Sequence, residues 1–121
     1  MTTLILGSGF VAQAFGGGVS RSSVDYTDPH EFRKLLRERD PDVIINCAGF
    51  TGRPNIDQCE VERAETIRAN LILPAMLSHE CQGRVLVHIS SGCIYSGDND
   101  GRGLSESDRP SPLSFYSLTK A

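Results

Sequence analysis

Tyr116 and Lys120 stand four residues apart in Ser114-Phe-Tyr-Ser-Leu-Thr-Lys-Ala121, and on a helix that spacing stacks them on one face. An ammonium about 6 Å from a phenol favours the phenolate by on the order of 3 kcal/mol at an effective dielectric of about 20. The pair would then give and take a proton, the work of a general acid–base. His88-Ile-Ser-Ser-Gly-Cys-Ile-Tyr95 adds Ser91, a hydroxyl able to hold a substrate oxygen beside the phenol, and Cys93, a thiol. Tyr-x-x-x-Lys is also an ordinary helix pairing. The elements that carry these groups decide between the two.

Thr3 to Leu6 is a short apolar run that meets a glycine turn, Gly7-Ser-Gly9-Phe-Val-Ala12, with the G-x-G-x-x-[GA] pattern of a dinucleotide site. The first glycine permits the tight turn, the second lets the backbone approach a pyrophosphate, and the small third residue lets helix and strand pack closely. Phosphates would sit on the N-terminus of the helix that includes Phe10 and Val11 and runs through Phe15. Gly16-Gly-Gly18 ends that helix, and Val19 to Arg21 supplies only a stub of a second strand. Arg21-Ser22-Ser23 follows the stub, chemistry suited to a 2′-phosphate, so NADP(H) is favoured. A second strand running through Val24 would instead bring Asp25 to the ribose and favour NAD(H).

Val24 to Asp28 reads as a third short strand, with Tyr26 near the cofactor. Asp28-Pro-His-Glu31 combines an Asp cap, a first-position Pro and a Glu three residues on, predicting a helix to about Arg39 that Asp40-Pro41 stops. Val43 to Cys47 is a continuous apolar strand ending in small residues, Cys47, Ala48 and Gly49, suited to lie against a cofactor. Asp57-Gln-Cys-Glu60 reads as a second capping box, launching a long helix to about Cys81 that Pro74 should kink. An amide bonded to backbone or facing solvent is expected of Asn70, and solvated rings of His30 and His79. Arg84 to Ser90 predicts another buried strand, delivering Ser91 and Cys93 at the carboxyl edge where open α/β sheets bind ligands. Ser96 to Pro112 is a polar loop able to lie over a substrate, and the helix bearing Tyr116 and Lys120 starts near Leu113. The order predicts an α/β fold, a Rossmann-like doubly wound parallel sheet.

With 121 residues and a net charge of −3, the chain reads as one domain over 1–121. Both signs of charge are scattered, which argues against a nucleic-acid groove or an anionic membrane surface, and no apolar run is long enough to span a bilayer. Met1-Thr-Thr leads straight into Leu4, without the pattern of a signal peptide. Cys47, Cys59, Cys81 and Cys93 are widely spaced and read as reduced thiols of a cytoplasmic protein, with Cys47 and Cys81 as small buried hydrophobes. No cluster has metal-ligand spacing, so no metal is expected.

Gly7-x-Gly9-x-x-Ala12, Asn46-Cys-Ala-Gly49, Ser91 and Tyr116-x-x-x-Lys120 together resemble an extended short-chain dehydrogenase/reductase. Gly52-Arg-Pro-Asn-Ile-Asp-Gln-Cys-Glu60, Gly92-Cys-Ile-Tyr95 and Ser114 to Lys120 are similar to the nucleotide-rhamnose synthases, 3,5-epimerase/4-reductases of nucleotide-4-keto-6-deoxyglucose. The resemblance implies that Tyr116 protonates the C4 oxygen as hydride arrives, that Lys120 stabilises the phenolate and binds the nicotinamide ribose, and that Ser91 orients the ketone. It implies that Cys93, as in GDP-fucose synthase, moves the C3 and C5 protons. Thr51, Arg53, Asn55 and Gly92 are substrate-contact candidates, with loop structuring an equal reading for Asn55.

Full-length members of that family continue beyond the Tyr-x-x-x-Lys motif into a substrate-binding region. The resemblance thus makes 1–121 a dinucleotide-binding domain incomplete at its C-terminus. Weak cofactor binding and little turnover are expected of it alone, and a homodimer of the full-length form is compatible. Two alternatives stand beside this reading: a 4-reductase only, of the dTDP-4-dehydrorhamnose reductase type, and a non-catalytic dinucleotide-binding regulatory subunit. The intact Ser91, Tyr116 and Lys120 argue against the last.

Overall fold

A computed structural model describes residues 1–121, which divide into two compact units. Met1–Gly49 with Ile72–Ile89 forms the first, and Phe50–Leu71 with Ser90–Ala121 the second.

The first unit is built on a three-stranded parallel sheet, β1 (Thr3–Leu6), β2 (Val43–Asn46) and β3 (Val85–His88), in that spatial order. Register runs Leu6 to Asn46 to His88. On the other side of β1, Leu6 makes one parallel bridge to Val19, with Gly7 donating to the Val19 carbonyl at 2.9 Å. The chain thus leaves β1 in one direction and returns to its other flank, the reversal that defines a doubly wound sheet.

Alternate residues explain the layers, because a strand presents successive side chains to opposite faces. Leu4, Leu6 and Ile44 are buried with Phe32, Leu35 and Leu36 of α2 (Pro29–Arg39) and Leu73 and Leu77 of α4 (Leu73–Glu80). The apolar stripe of α2 faces this core because its start is well determined. Asp28 Oδ1 accepts from the N–H groups of His30 (2.8 Å) and Glu31 (3.0 Å), and Pro29 occupies the first turn. Arg33 closes a bidentate pair with Glu80, at 2.7 and 2.6 Å, tying α2 to α4. α1 (Phe10–Ala14) buries Ala12 completely, consistent with its role as the small third position of the glycine turn.

Two expectations need correction in this unit, Val24 to Asp28 and β3, and Tyr26 takes a place in the core. Val24 to Asp28 is a turn, not a strand: Asp25 Oδ1 accepts from the Thr27 hydroxyl (2.5 Å) and amide (3.2 Å), a local bonding pattern that competes with strand pairing. Tyr26, expected near a cofactor, is packed in the core cluster at 4% exposure, and burial raises its pKa. β3 is not buried on both faces: Val85 and Val87, which alternate with Leu86 onto one face of the sheet, are 57% and 40% exposed.

In the second unit, α3 (Arg63–Ile67) follows a 3-10 turn, Ile56–Glu60. The expected helix start at Asp57 is therefore displaced. Asn55, not Asp57, caps the 3-10 turn by accepting from the Asp57 amide at 2.9 Å. After α3 the backbone widens into a π turn, Arg68–Ile72, and Pro74 lies in the first turn of α4. A proline lacks the N–H that would reach the carbonyl four residues back, so the regular ladder is interrupted just before it, as the sequence predicted. α5 (Phe115–Lys120) completes the unit. No helix is long and apolar enough to cross a membrane.

Candidate active site

The glycine turn lies in the first unit. Gly7 has φ +108°, a conformation few side chains adopt, and a Cβ there would stand 3.1 Å from Cys47 C and Ala48 N. The turn can therefore lie against the end of β2 only with glycine. Gly18 is equally crowded, since a Cβ would meet the Gly7 carbonyl at 2.5 Å. Gly9 differs from both. Its φ is −77°, open to any residue, and nothing lies within 4 Å of where its Cβ would stand. Neither backbone strain nor protein packing requires glycine at position 9. Phe10 is 91% exposed and Val11 lies open beside it.

At the carboxyl ends of the strands, Asn46 is fully buried, with Oδ1 accepting from Ala48 N–H (3.1 Å) and Nδ2 at 3.0 Å from His88 Nδ1. This side chain shapes the Cys47–Gly49 segment. Cys47 is half-buried, and burial pushes its thiol pKa up. Beyond Val19, the hydroxyls of Ser20, Ser22 and Ser23 cluster at 2.9–3.1 Å beside Arg21. The strand does not continue to Val24, and the Asp25 carboxylate is engaged with Thr27, a bond that lowers its pKa.

The second unit holds the proton-transfer candidates. Ser91 Oγ accepts from the Cys93 N–H at 3.2 Å and so caps the 3-10 turn Gly92–Ile94. One accepted bond leaves the Ser91 hydroxyl its own donor. Cys93 is exposed at the surface of this turn, and Gly92 beside it is exposed as well. α5 packs against the same turn, and Ser90 Oγ donates to the Lys120 carbonyl at 2.9 Å. The structure thus brings the Ser91–Cys93 segment to the helix that carries Tyr116 and Lys120. Tyr116 is buried at 8% exposure and Lys120 is half-buried, where desolvation lowers its pKa.

α5 is held at both ends. Ser114 Oγ accepts from the Ser117 N–H (3.1 Å), and Glu60 Oε1 accepts from the Phe115 N–H (2.6 Å). Asn70, 3% exposed, accepts from the Phe50 N–H (2.8 Å), donates to the Phe50 carbonyl (2.9 Å), and reaches Thr119 Oγ1 at 3.4 Å. Its amide is bonded to backbone, one of the two expected arrangements. Of the substrate-contact candidates, Thr51 and Arg53 are exposed, while Asn55 structures the loop as a cap.

Sequence reasoning missed Glu60 and Ser90. Glu60 carried a visible signal, the Asp-x-x-Glu pattern of a capping box, but it caps a helix that begins 55 residues later. Ser90 carried none beyond its place next to Ser91.

Residues 6–121 match the family described as the RmlD substrate binding domain. Over 89 residues the chain is 43% identical to the bifunctional dTDP-4-dehydrorhamnose 3,5-epimerase/dTDP-4-dehydrorhamnose reductase of Arabidopsis thaliana, covering 67% of this chain and 30% of that protein. It is 31% identical over 125 residues to a dTDP-4-dehydrorhamnose reductase of Mycobacterium tuberculosis, covering 95% of this chain and 40% of that one. Among solved structures, dTDP-4-dehydrorhamnose reductase from Bacillus anthracis in complex with NADP superimposes with a TM-score of 0.84 at 24% identity, over 99% of this chain and 46% of that one. The UDP-rhamnose synthase of Acanthamoeba polyphaga mimivirus gives 0.76 at 26% identity, over 98% and 49%. The fold is therefore Rossmann-like, and the chain spans less than half the length of each of these relatives. It belongs to the RmlD substrate binding domain family.

Proposed function

We propose that residues 1–121 form the dinucleotide-binding, proton-donating part of a cytoplasmic NADPH-dependent 3,5-epimerase/4-reductase that converts a nucleotide-4-keto-6-deoxyglucose to the nucleotide-L-rhamnose. The observation that carries this reading is the Ser91–Cys93 turn packed against the helix of Tyr116 and Lys120 and tied to it by Ser90. The open space at Gly9 fits a pyrophosphate, with Phe10, Val11 and the Cys47–Gly49 segment around it. Arg21 and the serine hydroxyls that follow Val19 suit a 2′-phosphate, which supports NADPH over NADH.

Bound reduced nicotinamide supplies a hydride to C4 of the sugar. Tyr116 gives its hydroxyl proton to the C4 oxygen, so the ketone becomes an alcohol. Lys120 stabilises the phenolate left behind, and Ser91 donates its hydroxyl to the same oxygen before transfer. Cys93 takes part in moving the protons at C3 and C5, which the neighbouring ketone acidifies: each is taken from carbon to leave an enolate, and a second acid–base group returns a proton to the opposite face. Thr51, Arg53 and Gly92 contact the sugar nucleotide.

The chain, alone and joined to the C-terminal region of a dTDP-4-dehydrorhamnose reductase, is incubated with UDP- or dTDP-4-keto-6-deoxyglucose and NADPH or NADH. A rhamnose product whose formation Tyr116→Phe abolishes supports the reading; no reduction in either form overturns it. A second reading, reduction without epimerisation, is supported by plain reductases among the relatives. Epimerisation that Cys93→Ala abolishes supports the bifunctional reading; a parent chain that reduces a 4-keto sugar without epimerising it leaves only the reductase.

A further inference from the structure

We propose that Glu60 is a positioning residue for Tyr116, acting through the first turn of α5, an inference that rests on the reductase reading above. The first N–H groups of a helix have no carbonyl within the helix to bond. α5 has only six residues, too short to sustain itself by propagation. Its N-terminal turn is held instead by two side chains. Ser114 takes the Ser117 N–H from within the same segment, and Glu60 takes the Phe115 N–H at 2.6 Å from a different part of the chain.

Glu60 is itself held in place. Its Oε2 pairs with Arg63 at 3.1 Å, and the Arg63 guanidinium lies 4.7 Å from the centre of the Phe115 ring. Glu60, Arg63 and Phe115 thus close a triangle on the residue immediately before Tyr116. The ion pair on its own contributes little, being partly exposed. What matters is the charge-assisted bond to the amide, which fixes where the helix starts. At the other end, Ser90 holds the Lys120 carbonyl. With the C-terminal end fixed and the N-terminal turn released, Tyr116 would fray away from Lys120 while the glycine turn, distant in sequence, stayed intact.

The test compares Glu60→Ala, Glu60→Gln and Tyr116→Phe in the chain joined to a relative's C-terminal region. Glu60→Gln keeps an oxygen that accepts from Phe115 and retains kcat within about threefold. Glu60→Ala lowers kcat about tenfold, the change to which loss of one helix cap converts, with NADPH affinity unchanged and faster hydrogen exchange at Phe115 and Ser117. If Glu60→Ala does not fold, Glu60→Asp, whose carboxylate is withdrawn by one methylene, takes its place with the same expected loss. A normal kcat in Glu60→Ala, or in Glu60→Asp with unprotected amides, overturns the proposal while the reductase reading stands. Equal falls in kcat and NADPH affinity also overturn it, marking Glu60 as merely structural. Unimpaired reduction by Tyr116→Phe overturns the reductase reading itself.

Discussion

Gly7 and Gly9 belong to one motif, yet the structure gives them different work, and substitution should separate them. Gly7→Ala places a Cβ at positive φ and against the backbone of Cys47 and Ala48, so it should destabilise the chain by about 1–3 kcal/mol in a denaturant melt. Gly9→Ala meets neither strain nor contact. Its melt should stay within about 0.5 kcal/mol of the parent, while NADPH titration shows weakened binding. Tyr116→Phe should reduce turnover by about 10²–10⁴-fold, the range for a lost general acid, with cofactor affinity retained. Lys120 adds a pH dependence. Burial lowers its pKa, so its ammonium is lost at lower pH than on an exposed lysine. The alkaline limb of the rate profile should therefore fall below about pH 10.4.

Capping chemistry governs the elements. Asp28-Pro-His-Glu31 was fully legible, since an Asp cap and a first-position Pro act on adjacent residues, and α2 starts where they place it and stops at Asp40. Asp57-Gln-Cys-Glu60 carried the same signal and misled, because its glutamate reaches the N-terminus of α5. A carboxylate next to an unpaired N–H is equally satisfied by a local or a distant helix, and sequence spacing ranks only the local one. The Arg33–Glu80 pair sets a second test at this scale. The guanidinium hydrogen bonds hold the Glu80 carboxyl below its ordinary pKa. The stability they add is present above the unfolded value near 4.3 and disappears as pH falls through the folded one. Arg33→Ala should therefore lower the melting temperature at pH 7 and leave it unchanged near pH 2.

At the scale of the whole chain, β3 is the exposed edge of the sheet, and Val85 and Val87 present an apolar strand to solvent. Unpaired strand edges template association, so the chain should self-associate with concentration in sedimentation experiments. Val85→Lys with Val87→Lys should suppress this without moving the melt. By itself the sequence determined the parallel α/β order and the glycine turn, and it singled out Ser91, Tyr116 and Lys120 as proton-transfer candidates. Strand, helix and turn preferences over a few adjacent residues are enough for those. Tertiary structure alone decided that Tyr26 packs in the core, that Val24–Asp28 turns, that β3 lies at an edge and that Glu60 serves α5. Each depends on which distant groups compete for the same surface or hydrogen bond, and that competition has no signature in local spacing.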